Sequence, residues 1–251
     1  MPAPFNLLAR RREAWHLGIE HREDLMRVFM TCRRLDRRPL LKDVTDELLE
    51  EVQGVRLRSE VLPLDVFAQS EVIGQRIEVS VNNRLNEMEG IRDTSGVAFV
   101  AKWHESIHVL RDLRPKGSAD TQLRLGGLED AIQRQIVCRR TGAGQALNVD
   151  EREFFAENAG LAAAIAMPDL KLSPAFQEFT LLTERGGDIT TPGWNLLAQS
   201  AADIGVNRAA LFKYLNQLGL LLREQQTGKQ HLIALAPLEN WEVSGESQLD
   251  S

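Results

Sequence analysis

The chain has 251 residues, 43% of them apolar, which can supply a core for one large domain or for two modest ones. Its two cysteines, Cys32 and Cys138, exclude a disulfide framework or a four-cysteine metal site. The formal net charge of −6 divides unevenly, +5 over residues 1–42 and −11 over the remainder, so only the amino-terminal arm is basic, which reads as a solvated helix face rather than a nucleic-acid surface.

From Arg10 to about Val52 the chain is charge-rich, with apolar residues at helical spacing (Leu25, Val28 and Phe29, then Leu40, Leu41, Val44, Leu48, Leu49 and Val52), and this predicts two or three helices. Between Val55 and Asn82 the character changes. "VRLRSEVL" and "RIEVSV" alternate polar and apolar side chains with β-branched residues, predicting two strands, and Gly74 marks a turn before the second. "RDTSG" offers Thr94 or Ser95 as a cap for a helix running to about Leu113, before Pro115 and Gly117.

A polar stretch with Gly126 and Gly127, a helix around 128–140 and a glycine-containing loop at 142–144 are expected next. A further helix begins near Asp150 and ends at "MPDL", where proline stops it. "TPGWNLLAQSAADIGVNRAALFKYLNQLGLLLRE" carries separate helix signals, "HLIALAP" reads as a short strand, and "SGESQLDS" as a disordered tail. "MPAPFNLLARRREAWHLG" lacks the apolar core of a secretory signal, and the longest apolar run, "LAAAIAM" at 161–167, is too short to span a bilayer. No membrane insertion and a cytoplasmic location are therefore expected.

The chemistry concentrates in "VAKWHESIHVL", residues 100–110. Four residues of α-helix bring His104 and His108 onto one face, about one turn apart, so two imidazole nitrogens can converge on one cation while Glu105 lies beside an open coordination position. Zinc accepts neutral imidazole readily, and with three protein ligands it leaves a place for a water. Glu105 would then act as the base that takes the water's proton and passes it to a leaving amine. Ala98, Phe99, Val100, Ile107, Val109 and Leu110 make this helix a buried one, where two unpartnered histidines would be costly. Trp103 reads as a core residue.

A third ligand must come from elsewhere, because the extended H-E-x-x-H-x-x-G-x-x-H pattern fails at Arg111-Asp112-Leu113-Arg114. The later histidine, His231, lies more than a hundred residues on. "EREFFAENAGLAAAIAMP" supplies Glu153 and Glu157, four apart on one face of an otherwise apolar helix, and one of the two is expected to bind the metal. An oxyanion-stabilising residue is not assigned; Tyr214 reads as a helix-packing residue.

In this order the residues resemble the ImmA/IrrE metallopeptidases. The likeness runs through "GQRIEVSVNNRL" on a strand, "HESIH" followed by "VL", and a later helix of the form E-x-x-A-[NE], matched by Glu153-Phe154-Phe155-Ala156-Glu157, that ends in small residues and "MP". It extends over roughly residues 55–237, because the family also carries a helix-turn-helix-like segment, here "AQSAADIGVNRAALFKYLNQLGLL" with a turn at Gly205, a cap at Asn207 and a second helix from Arg208.

The resemblance implies a zincin-like metallopeptidase core with a small β-sheet and a C-terminal helix-turn-helix-like domain; with the N-terminal helical arm read from its apolar spacing, the expected fold is α+β and mainly helical. The expected boundaries are 1–52 for the arm, 53–175 for the peptidase domain, 176–240 for the helix-turn-helix-like domain and 241–251 for the tail. One Zn2+ per chain is implied, held by His104, His108 and Glu153, with Glu157 the alternative because the family's glutamate falls about two residues nearer the Met-Pro pair. The strand at 76–82 is expected beside the metal helix, with Ile77, Val79 and Val81 pairing with an extended substrate. The implied function is a narrow-specificity endopeptidase that cuts a protein substrate, a helix-turn-helix repressor or similar regulator in mobile-element or stress control. The alternative is a DNA-binding regulator with a structural zinc, but its second helix carries just two basic residues, Arg208 and Lys213.

Overall fold

The computed structural model describes residues 7–113, 135–139, 151–183, 191–218, 220–226 and 229–234. These form an α+β, mainly helical chain that divides into two compact units, Met1–Ala164 and Ile165–Ser251. The helical arm expected as its own domain is thus part of the first unit, and the division falls at 164/165 rather than at 175/176. No helix among the described residues is long and apolar enough to cross a membrane.

The first unit begins with α1 (Leu7–Arg33), followed by α2 (Leu41–Glu47), which continues as a π-helical turn over Leu48–Val52. Apolar residues at helical spacing on α1, Ala14, Trp15, Leu25, Met26 and Phe29, are all buried. A four-stranded sheet follows, of β1 (Val55–Glu60), β2 (Val66–Ile73), β3 (Arg76–Asn82) and β4 (Gln135–Arg139), in the order β1-β3-β2-β4. β1 runs parallel to β3, from Val55↔Ile77 to Glu60↔Asn82; β2 is antiparallel to both β3 and β4. β2 and β3 are joined at Gly74, whose φ of +62° is accessible to glycine without a Cβ penalty.

The order of the strands corrects one expectation. β3 is an interior strand with β1 on one side and β2 on the other, so its backbone groups are committed and the strand carrying Ile77, Val79 and Val81 cannot take up an added peptide. Val79 and Val81 are instead buried, and Val81 packs with Ala68, Leu85, Met88 and Ala101 between the sheet and the next helix. At the end of β3, the Asn82 amide donates to the carbonyls of Pro63 and Val66 at 2.9 and 2.7 Å and accepts from Arg84 N at 3.0 Å, which fixes the β1–β2 connection.

α3 (Thr94–His108) packs on this sheet and passes into a π-helical turn at Val109–Leu113. Its cap is Asp93, whose carboxylate accepts from Gly96 N at 2.9 Å, one residue before the expected Thr94 or Ser95. The expected helix around 128–140 is contradicted over its described part, where β4 pairs with β2; the rest of that range, Gly126, Gly127 and the 142–144 loop lie outside the described residues.

α4 (Glu151–Ala164) lies between α1 and α3. Ala14 from α1 and Ile107 from α3 share one apolar cluster with Phe155, Ala156 and Ala159 of α4. Small residues permit this double packing: a Cβ on Gly18 would lie 2.1 Å from the Ala159 carbonyl oxygen, and one on Gly160 would lie 2.7 Å from the Cα of His104. Arg22 donates to the Ala162 carbonyl at 2.8 Å, satisfying one of the acceptors left open in the last turn of α4.

α4 ends at Ala164, short of the "MP" pair, because Ala166 is extended (φ −96°, ψ 120°) and Pro168 occupies the first turn of a new helix, α5 (Met167–Lys171). The second unit continues with α6 (Pro174–Thr183), α7 (Thr191–Asp203) and α8 (Arg208–Gln217). Gly205, at φ +81°, turns the chain between α7 and α8, and Asn207 caps α8 by accepting from Ala210 N at 2.8 Å. Strands β5 (Leu221–Gln226) and β6 (Lys229–Ala234) close the unit as an antiparallel hairpin; β6 matches the expected short strand, whereas β5 occupies residues expected to end a helix. Leu170, Phe176, Phe179, Leu197, Leu211, Tyr214 and Leu215 are buried here. The 241–251 tail lies outside the described residues.

Candidate metal centre

α3 and α4 bring three of the expected residues together. The imidazoles of His104 and His108, one turn apart on α3, have centroids 4.8 Å apart, and their Nε2 atoms face each other at 3.1 Å. Glu153, in the first turn of α4, reaches both: one carboxylate oxygen lies 3.3 Å from His104 Nε2 and the other 3.3 Å from His108 Nε2. Potential ligand atoms from all three lie within 4.8 Å of one another, and among the described residues this is the only such group. Two imidazole nitrogens and a carboxylate are a donor set that a divalent metal ion fits. Glu157, one turn further along α4, is exposed and is not part of the group.

Close packing of the two helices makes this possible. Gly160 lets the α4 backbone approach the α3 backbone at His104, seven residues beyond Glu153. A hydrogen-bonded chain through Ser106, between the two histidines in sequence, ties α3 to α1 and to Gln53: His21 Nε2 of α1 donates to Ser106 Oγ at 2.7 Å, Ser106 Oγ donates to Gln53 at 2.8 Å, and the Gln53 amide returns to the Ser106 carbonyl at 2.8 Å. Trp103 is fully buried as expected, and its indole N–H donates to Thr45 at 3.3 Å.

The electrostatics follow from three buried or half-buried groups at close range. Burial works against ionised Glu153, but hydrogen bonds and positive charge from His104 and His108 outweigh it and bring the carboxyl down to about 2. Burial likewise opposes protonation of His108, yet its hydrogen bonds to Asp112 and Glu153 raise its pKa above the ordinary histidine value.

Glu105 is fully buried beside this group. Burial pushes its carboxyl above the ordinary carboxylate range, against the pull of His104, His108 and Ser70. Ser70 Oγ, from β2, donates to Oε2 at 2.5 Å, whereas Oε1 has no hydrogen-bond partner. A buried carboxylate oxygen without a donor is costly unless something else occupies its environment, and this orphan fits an ion and a water alongside.

Two residues that touch the expected site had no role in the sequence reading. Asp112 lies in the π-helical turn, 2.8 Å from His108 Nδ1; burial raises its carboxyl, and His108, Arg111 and Arg152 together bring it below the ordinary value. Its place four residues after His108 is a visible signal. Ser70 stands on β2, a strand the alternation pattern did not reveal. Tyr214 belongs to the buried core of the second unit, consistent with a packing residue.

No protein-family model, curated protein or solved structure matches this chain.

Proposed function

We propose that the protein is a zinc-dependent endopeptidase of narrow specificity, built on a zincin-like core of the ImmA/IrrE kind, that cuts a helix-turn-helix repressor or similar regulatory protein. The observation that carries this reading is the convergence of His104 Nε2, His108 Nε2 and both Glu153 oxygens next to a buried Glu105 whose Oε1 is unpartnered. A bound zinc ion supplies Lewis acidity that polarises a peptide carbonyl and makes water a better nucleophile.

The chain's own residues divide the remaining work. His104, His108 and Glu153 would hold the ion, a three-ligand set compatible with hydrolytic chemistry. Glu105 accepts the water's proton at Oε1 and delivers it to the leaving amine, while Ser70 keeps Oε2 occupied so that one oxygen alone is active. Since β3 is interior, an extended substrate needs another edge. Among the described residues the sheet ends at β1 and β4, and β4 is the neighbour of β2, which carries Ser70 to Glu105. Substrate main chain is therefore assigned to the outer side of β4.

A DNA-binding regulator is the second reading, supported by the α7–Gly205–α8 arrangement. It is the weaker of the two. Arg208 stacks over the Trp194 ring at 5.7 Å, which leaves Lys213 as the other basic residue of α8, and a structural zinc closes its coordination with four protein ligands where three gather here.

Glu105→Gln separates the two readings. It keeps the size of the side chain and all three metal-binding groups, so zinc should stay bound while a repressor encoded at the same locus and co-expressed is no longer cut. Unchanged regulation in that variant would instead favour the DNA-binding reading.

A further inference from the structure

Asp112 is the residue near the site whose position the proposed chemistry does not yet use. α3 gives way to a π-helical turn at Val109, immediately after the second metal-site histidine, and Asp112 sits in that turn. Its carboxylate lies 2.8 Å from His108 Nδ1, the ring nitrogen opposite the one that faces His104 and Glu153. The turn is anchored as well as placed: Arg111 stacks over Phe155 of α4 at 4.1 Å, so the segment carrying Asp112 is tied to the helix that carries Glu153.

A neutral imidazole has one N–H and two places to put it. With the proton on Nε2, His108 would donate toward His104 or Glu153 and have no lone pair for a cation. With the proton on Nδ1, Nε2 is free to coordinate. Asp112, as an acceptor, favours the second arrangement and increases the donor strength of the ring. The π-helical turn at the end of α3 sets a carboxylate against the rear nitrogen of His108.

We infer that Asp112 is a positioning residue for the metal centre: it holds the Nδ1–H of His108, fixes the ring's tautomer and orientation, and so directs Nε2 to the ion. This rests on the metal-site reading above, but not on the protein being a peptidase.

The test uses the full chain, depleted of metal and titrated with zinc against a chromophoric chelator. Asp112→Ala should weaken zinc binding by about 10- to 100-fold. Asp112→Asn, which keeps an acceptor oxygen without the charge, should lose less. In the zinc-loaded wild type, the His108 Nδ1 proton should give a downfield, slowly exchanging NMR resonance that disappears in Asp112→Ala. Melting of the metal-free variants shows whether they fold, and Asp112→Asn carries the test if Asp112→Ala does not. Wild-type binding with both variants within twofold of it, and the resonance retained, would overturn the inference. Failure of the wild type to bind zinc would overturn the metal-site reading and this inference with it.

Discussion

Gly160 and His104 meet backbone to backbone: a Cβ on Gly160 would stand 2.7 Å from the His104 Cα and 2.9 Å from its amide nitrogen. Replacing a helical glycine by alanine ordinarily gains about 1 kcal/mol in helix propensity. Here the sign should reverse. Gly160→Ala must push α4 off α3, costing roughly 1–3 kcal/mol of stability for an overpacked contact and drawing Glu153 away from the histidines. A lower melting temperature together with weaker zinc binding is the expected outcome of calorimetry and metal titration.

Glu153 and Glu157 should behave differently although they are one turn apart. Glu153→Gln removes a carboxylate that lies 3.3 Å from both histidines, so zinc affinity should fall by at least tenfold. Glu157→Gln alters an exposed position outside the group and should bind zinc as the wild type does. Competition with a zinc chelator reads both.

Ser70→Ala tests how Glu105 is aimed. The hydroxyl donates to Glu105 Oε2 at 2.5 Å in a fully buried setting, and a hydrogen bond to a charged group contributes about 1.5–3 kcal/mol. Cleavage should slow by roughly 10- to 100-fold on that scale, with zinc stoichiometry unchanged. Equal cleavage rates for wild type and variant would remove Ser70 from the machinery.

The amino-terminal arm should be inseparable from the site. His21 closes the chain through Ser106 to Gln53, so His21→Phe leaves the buried Ser106–Gln53 pair short of a donor at a cost of about 1–3 kcal/mol. A chain beginning at residue 35 exposes the α1-facing side of α4 and should be recovered as aggregate. A soluble truncated chain with full zinc affinity would contradict this.

Stability in acid should depend on Glu23. Burial raises its carboxyl, but Arg22 and Arg38 together hold it below the ordinary 4.5. A depressed folded value stabilises the chain fully above the unfolded value, and the contribution is lost as pH falls through the folded one. Glu23→Gln should therefore be less stable than wild type near pH 7, by under about 1 kcal/mol for so exposed a group, and the gap should close below pH 4.5. Urea melts across that range measure it.

The His104–His108–Glu153 group that could hold a metal ion was legible because its signals are local. Histidines four apart on a helix must share a face, and the apolar helix that follows offered two carboxylates, Glu153 and Glu157, between which spacing alone did not choose. The strands at 55–60 and 76–82 announced themselves by alternation. β2 did not, because its buried side includes Ser70 as well as Val66 and Ala68, so the polar residue that serves Glu105 breaks the apolar pattern. β4 was hidden for a different reason: "QIVCR" is a five-residue run among charged residues, and its strand character comes from pairing with β2. The interior place of β3 depends on both neighbours, one of them unseen. The break at Ala164 was missed because an alanine-rich run favours helix, while Pro168 begins the next helix rather than merely ending the last. Asp112 lay in plain view, but its meaning depends on the π-helical turn that sets it behind His108.

The most direct measurement is a zinc titration of the metal-depleted full chain and of its His104→Ala, His108→Ala and Glu153→Ala variants. One tightly bound ion per wild-type chain, lost or strongly weakened in each variant, is the result expected. Absence of zinc binding by the wild type, or binding that survives replacement of either histidine, would contradict the account.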